Sequence, residues 1–186
     1  VNANGMTITP GFIDAHAHGP QGTGDLVPEQ NWSAIAHLAL GVTTIHNPSS
    51  RASHIFTASE YQRTGTYLAP RIYSTGEIVY GARAPSVYAE INSIEDAREH
   101  VFRLASQGAH SIKNYNQPRR DQRQQVVAAS IEAGLEVVAE GGSNYHMDMA
   151  MVADGNTSIE HNLPLSMIYE DVLQMYSQTE VAYTPT

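Results

Sequence analysis

Two histidines stand one residue apart in "GFIDAHAHG", residues 11 to 19. In a β-strand, side chains at i and i+2 share a face. His16 and His18 therefore project from one side of the end of the apolar run Phe12-Ile13. That run is bounded by Pro10-Gly11 and Gly19-Pro20 and reads as a short buried strand. Two neutral imidazoles on one side of a strand end can hold one divalent cation, and imidazole suits zinc and its neighbours. Two surface histidines in a turn would read the same way, so the pair alone does not decide. Further ionisable residues close similar short runs: His46 in "TTIHN", Glu77 in "RIYSTGE", Lys113 in "SIKNY", Glu140 in "VVAEGG" and His161 in "SIEHN".

The elements that must position these residues repeat in one order. A helical pattern stops at a glycine and a β-branched run follows. "NWSAIAHLALG" precedes "VTTIHN", and "SIEDAREHVFRLASQG" precedes "HSIKNYN". "DQRQQVVAASIEAG" precedes "LEVVAE", "HMDMAMVADG" precedes "TSIEHN", and "LSMIYEDVLQMYSQ" precedes "EVAYTPT". Ser93, with Asp96 three residues on, predicts a capped helix start, and Gly108 a helix end. Asp121 predicts the next N-cap. Strands alternating with helices mean βα units and a parallel sheet. Counting "FIDAHAH" and "RIYSTGE", about seven strands are expected, covered on both faces. An incomplete eight-stranded TIM-like (β/α)8 barrel accommodates them better than a doubly wound sheet, because "GPQGTGD" follows the histidines and opens no helix. In such barrels the site lies at the C-terminal ends of the strands. Nearly every expected strand delivers an ionisable side chain to that rim.

Bulk composition narrows the classes. The chain has 186 residues, enough for one domain with a real core. A net charge of −9 argues against nucleic acid and anionic membrane surfaces as partners. There are no cysteines, so any metal must use His, Asp, Glu or a modified residue. No apolar run approaches transmembrane length. "VNANGMTI" has neither a basic region nor a long apolar segment, so no targeting segment is visible and the compartment stays open.

"TPGFIDAHAHG" resembles the first-strand signature of the amidohydrolase superfamily, the metal-dependent hydrolases built on a distorted barrel. "GVTTIHNP", "SIKNYN" and "TSIEHN" resemble its second, fourth and sixth strands, in order. The branch with imidazolonepropionase-like and prolidase-like enzymes is the most similar. The stretch from "KNYNQPRRDQRQ" to "SIEHNLP" resembles members fused to a TolB-like propeller. This resemblance implies that His16 and His18 bind a first metal. It implies that Lys113 matches a lysine that becomes a carbamate bridging two metals, and that His161 is a ligand of the second. The expected cofactor is a divalent metal, zinc above all, as one or two ions. The reaction implied is hydrolysis of amide-like C–N bonds in a small molecule, a cyclic amide or a dipeptide-like compound. A non-catalytic metal- or ligand-binding barrel fragment is the alternative.

The chain also departs from that pattern. Glu140 stands where a histidine is usual; it can ligate zinc or neutralise an unmodified Lys113. His146 reads as a surface or loop residue. His46, Glu77, Tyr115 and Arg119 are expected to line the substrate pocket. Arg119, Arg120 and Arg123 read as a solvated face from which one arginine could meet a substrate carboxylate. The family's eighth strand ends in an aspartate that handles protons. No such residue is found here, and the catalytic proton carrier is left unassigned. The expected division is residues 1–9 as the end of a β-structured segment and residues 10–186 as a partial barrel lacking its eighth strand. Unpaired edges in such a barrel predict pairing with another chain, a homo-oligomer being one form.

Overall fold

The structure is a computed structural model describing residues 2–83 and 88–186. In chain order its elements are β1 (Phe12–Asp14), α1 (Trp32–Ala39), β2 (Val42–Asn47), α2 (Ala52–Arg63), β3 (Arg71–Ser74), β4 (Ile78–Tyr80), β5 (Tyr88–Glu90), α3 (Ile94–Gln107), β6 (Ser111–Asn114), α4 (Arg120–Ala133), β7 (Glu136–Glu140), α5 (Tyr145–Ala153), β8 (Ser158–Glu160), α6 (Glu170–Gln178) and β9 (Ala182–Thr184). Local chemistry sets the helix ends. The Ser93 hydroxyl accepts from the Asp96 N–H, and the Asp96 carboxylate accepts from the Ser93 N–H, so two orphan donors are satisfied at once. Gly108 closes α3 with φ 106°, a conformation that would strain any residue with a Cβ. Asp121 is not the N-cap of α4. Arg119 takes that place, and Asp121 sits in the first turn, where a carboxylate is favoured by the helix dipole.

All strand pairs in the two sheets are parallel. The orders are β1-β2-β3 and β5-β4-β6-β7-β8-β9. The expected run "RIYSTGE" holds β3, in the first sheet, while β4 begins just past it, at Ile78, in the second. The carbonyl of Ser74 accepts from the His110 N–H, and Ile78 pairs with Lys113. That bond sets Ser74 level with Ala109, so four residues on each strand separate the two contacts. Gly76, at φ 69°, bends the chain between β3 and β4. Each of the seven expected runs contains a strand, and β4 and β5 are added. The sheets do not close: among the described residues β1 and β9 are each paired on one side only.

Both sheets nevertheless curve around one cavity of about 300 Å³. Ile13, Thr44 and His46 of the first sheet line it, and so do Ser111, Val138, Ser158, Glu160 and Thr184 of the second. The alternating residues Ile112, Val137, Ala139 and Ile159 point the other way and are buried in the apolar layers against the helices. The expectation of strands covered on both faces therefore needs correcting. Only the outer face is packed by apolar side chains, and the inner face is largely polar, unlike barrels filled by Val, Ile and Leu. β1 is also not buried: Phe12 is 66% and Ile13 70% exposed, because nothing described pairs with its outer edge.

Candidate functional site

β1 ends at Asp14, before the histidines. The Asp14 carboxylate accepts from the His16 N–H (3.1 Å) and turns the chain. The Ala17 N–H then bonds the His46 carbonyl (2.9 Å), fastening the turn to the end of β2. This brings Nε2 of His16 within 3.1 Å of Nε2 of His18. Nδ1 of His16 lies 2.5 Å from a Glu160 oxygen, with both side chains buried. A carboxylate only accepts, so the proton belongs on His16 Nδ1. In the neutral ring, Nε2 then presents a lone pair toward His18. Burial, and next the neighbouring His16, hold the His18 pKa below its ordinary value, while a hydrogen bond to the Asn47 side chain opposes them.

A second group lies beside this pair. Lys113 is 1% exposed, and its Nζ is 2.7 Å from Oε2 of Glu140. That separation makes an ion pair, yet Nζ lacks the alignment of a hydrogen bond to any partner. The distance carries the Coulomb attraction; the angle leaves the ammonium's donors free for another acceptor. Oε1 of Glu140 is 3.0 Å from Nε2 of His161. By strand alternation Ser158 and Glu160 face inward, which would send His161 outward. Its positive φ of 69° reverses this and returns the ring to the site, with its centroid 4.9 Å from that of His16. The approach of β7 and β8 depends on Gly141: a Cβ there would sit 2.5 Å from the Glu160 carbonyl oxygen. Among the described residues, no group of three or more His, Asp or Glu side chains is gathered tightly enough to hold an ion as it stands. The donors are met as two adjoining pairs.

His46 occupies the floor of this arrangement rather than its mouth. Its Nδ1 faces the carbonyl of Ala15 (3.2 Å) and its Nε2 the Ser111 hydroxyl (2.9 Å). A carbonyl cannot donate, so Nδ1 carries the proton and Nε2 accepts from Ser111. His46 thereby ties the histidine-bearing turn to β6 across the lumen. Burial lowers its pKa, which suits this neutral form. Glu77 is not on the rim. It follows Gly76, at φ 69°, and pairs with Arg103 on α3, 2.7 Å away. Arg119 is exposed and held by Asp121 at 2.6 Å. Arg120 pairs with Asp154, and Arg123 is buried under the loop after β6, so the three do not form one solvated face. Tyr115 stands two residues beyond Lys113, and its phenol pKa is raised by burial first and then by the charge of Glu140. His146 is exposed on α5. Sequence reasoning passed over Glu160 and Ser111. Alternation around Ile159 and Ile112 was the signal that places both inward.

Several solved structures have the same fold. A Xaa-Pro dipeptidase with methionine bound in its active site matches with a TM-score of 0.72 and 18% identity, over 95% of this chain and 53% of its own. A putative prolidase from Bifidobacterium longum matches with 0.72 and 20%, over 94% and 46%. The ochratoxinase of A. niger matches with 0.68 and 18%, over 94% and 51%. No protein-family model matches the chain, and no curated protein matches it significantly in sequence. The chain shares the fold of these solved structures. The chain spans about half the length of these structures. Among the described residues no helix is long and apolar enough to cross a membrane.

Proposed function

We propose that this chain carries much of the barrel and the site of a metal-dependent hydrolase that cleaves amide-like C–N bonds in small molecules, cyclic or dipeptide-like. The incomplete (β/α)8 barrel belongs to the same reading: strands of both sheets line one lumen. The observation that carries it is the His16–His18 pair with Glu160 behind it. Two Zn–N bonds of about 2.05 Å at a tetrahedral angle place the nitrogens about 3.3 Å apart. The observed 3.1 Å is close to that edge. A ligating histidine also characteristically donates its other N–H to a carboxylate, as His16 does toward Glu160. The Glu140–His161 pair, 3.0 Å apart, offers a second edge of similar length. The donor set would suit one or two divalent ions, with His16, His18, Glu140 and His161 as the holding residues and Lys113 joining them only as its carbamate.

When bound, such an ion polarises a carbonyl and lowers the pKa of water. The chain's own residues do the rest. Glu160 keeps the proton on His16 Nδ1. Glu140 neutralises Lys113 and is the carboxylate placed to take a proton from attacking water. Tyr115 borders the same carboxylate. The direct Lys113–Glu140 contact favours one second reading, a binding barrel without turnover. To test the proposal, the metal-stripped chain is titrated with Co²⁺ and Zn²⁺ and compared with a His16→Ala/His18→Ala variant, followed by a dipeptide hydrolysis screen. Stoichiometric binding lost in the variant is expected; unchanged stoichiometry would sink the ligand assignment. Binding without hydrolysis on the full parent chain would select the second reading.

A further inference from the structure

Three tyrosines gather beside Lys113, and nothing in the mechanism above uses their rings. Ile78 pairs with Lys113, and Tyr88 pairs with Ile78. Partners in a parallel ladder share a face, so Tyr88 and Ile78 face the same side of the sheet as Lys113. Tyr80 and Tyr115 lie two residues beyond Ile78 and Lys113, on that face again and one step nearer the mouth. The rings meet edge to face, Tyr80 against Tyr115 at 5.3 Å and Tyr80 against Tyr88 at 6.2 Å. All three are only half-buried, and none belongs to the apolar cores between sheet and helices. Tyr115 follows Lys113 by two residues on the same face, which places this end of the row at the polar site. A row of rings past the last inward strand residue, partly open, is where a barrel binds rather than packs.

We propose that Tyr80, Tyr88 and Tyr115 form an aromatic wall that takes a flat ring of the substrate, so the amides bound here carry an aromatic group near the scissile bond. This rests on the hydrolase reading for its chemistry, while the wall itself follows from register and ring contacts alone. An aliphatic group of equal size would gain area but not the ring–ring geometry. The probes are N-acetyl-L-phenylalanine and its saturated counterpart N-acetyl-L-cyclohexylalanine, titrated calorimetrically into the metal-free chain. The aromatic probe should bind about three- to tenfold more tightly, the range expected of one added ring pair. Tyr80→Leu and Tyr88→Leu should abolish that preference, and Tyr80→Phe and Tyr88→Phe should keep it. The Phe variants retain ring and volume, so they read the wall even where a Leu variant folds poorly. Equal affinity of the two probes for the unsubstituted chain overturns the proposal, as does a preference that survives in both Leu variants. Glu140→Gln separates the two readings. It should weaken Zn²⁺ binding and leave the ring preference intact, so a chain that binds no metal but still prefers the aromatic probe refutes the hydrolase reading alone.

Discussion

The histidine-bearing sheet β1-β2-β3 and the sheet that carries Lys113, Glu140 and Glu160 contribute to one site under different conditions. In the first, the chain around the histidines is thinly covered: Phe12 and Ile13 are exposed, and so are Trp32 (76%) and Leu40 (79%) of the adjoining α1. In the second, the strands rest on α3, α4 and α5, and Ile112, Ala139 and Ile159 are fully buried. The chemistry follows this division. The thin half supplies imidazoles, which can stay neutral and need little enclosure. The packed half holds formal charges out of water, where each needs a partner. Lys113 has Glu140, and Glu160 has His16. Cross-lumen contacts, His16 to Glu160 and His46 to Ser111, join the halves.

The largest expected effect tests whether the packed half is as dehydrated as its burial implies. Glu140→Gln leaves the Lys113 ammonium buried without a counter-charge, which should cost about 3 kcal/mol of unfolding free energy. Lys113→Met should cost less, since Glu140 is 18% exposed and keeps His161. The double variant should recover much of the loss. His18→Ala, in the thin half, should cost about 1 kcal/mol or less in the metal-free chain. Urea unfolding of the four variants checks the order; a Glu140→Gln cost as small as that of His18→Ala would erase the contrast.

A pair of glycines sharpens the same difference. A Cβ on Gly141 would meet the Glu160 carbonyl oxygen at 2.5 Å and Ile159 Cγ2 at 2.6 Å, backbone and buried core that cannot move aside. Gly141→Ala should part β7 from β8 and cost about 2–3 kcal/mol. On Gly11 the Cβ would overlap Thr43 Oγ1, Cγ2 and Cβ. The Thr43 Cβ is fixed to its backbone, so the relief must come from a shift of β1, an exposed edge strand paired on one side among the described residues. Gly11→Ala should cost about 1 kcal/mol or less. Thermal melts of the two variants measure this, and equal losses would show that the edge sheet is as rigid as the packed one.

The same division explains how much was legible in the residues. Most strand runs and glycine stops were readable, because parallel βα units leave a period and a punctuation in the sequence; β4 and β5, each three residues long, were not. The meeting of His16 with His18 was readable from spacing, although an Asx turn after β1 produces it rather than the strand itself. Glu160 was legible but unread: it alternates with Ile159, while the adjacent His161 drew attention as a familiar ligand type. Glu77 was illegible, since the positive φ of Gly76 reorients the chain just before it, and such a break is set by the neighbouring strands. The exposure of Phe12 was illegible for the same reason: an apolar pair does not reveal whether its edge is covered.

The smallest effect is a difference in the sign of pH dependence between the halves. Burial pushes the Asp148 carboxyl on α5 up to about 6 from its ordinary 3.8, against one opposing hydrogen bond from the Gly142 N–H. Between those values the folded chain holds a proton that the unfolded chain has released, so stability falls as pH rises through that window. His46 behaves in reverse. Burial lowers its pKa below 6.5, so the unfolded chain binds the extra proton, and stability is lost as pH falls below 6.5 toward the folded value. In the metal-free chain, amides of α5 and β8 should therefore be better protected from hydrogen exchange near pH 5 than near pH 7, after correction for intrinsic rates. Amides of β2 and the turn after β1 should show the opposite order. Asp148→Asn should remove the first trend and leave the second. His46→Phe should remove the second, and it also deletes the bonds to Ala15 and Ser111, each worth about 1 kcal/mol. If both regions shift in the same direction with pH, the lumen joins the sheets into one cooperative unit, and the division between a thin half and a packed half fails.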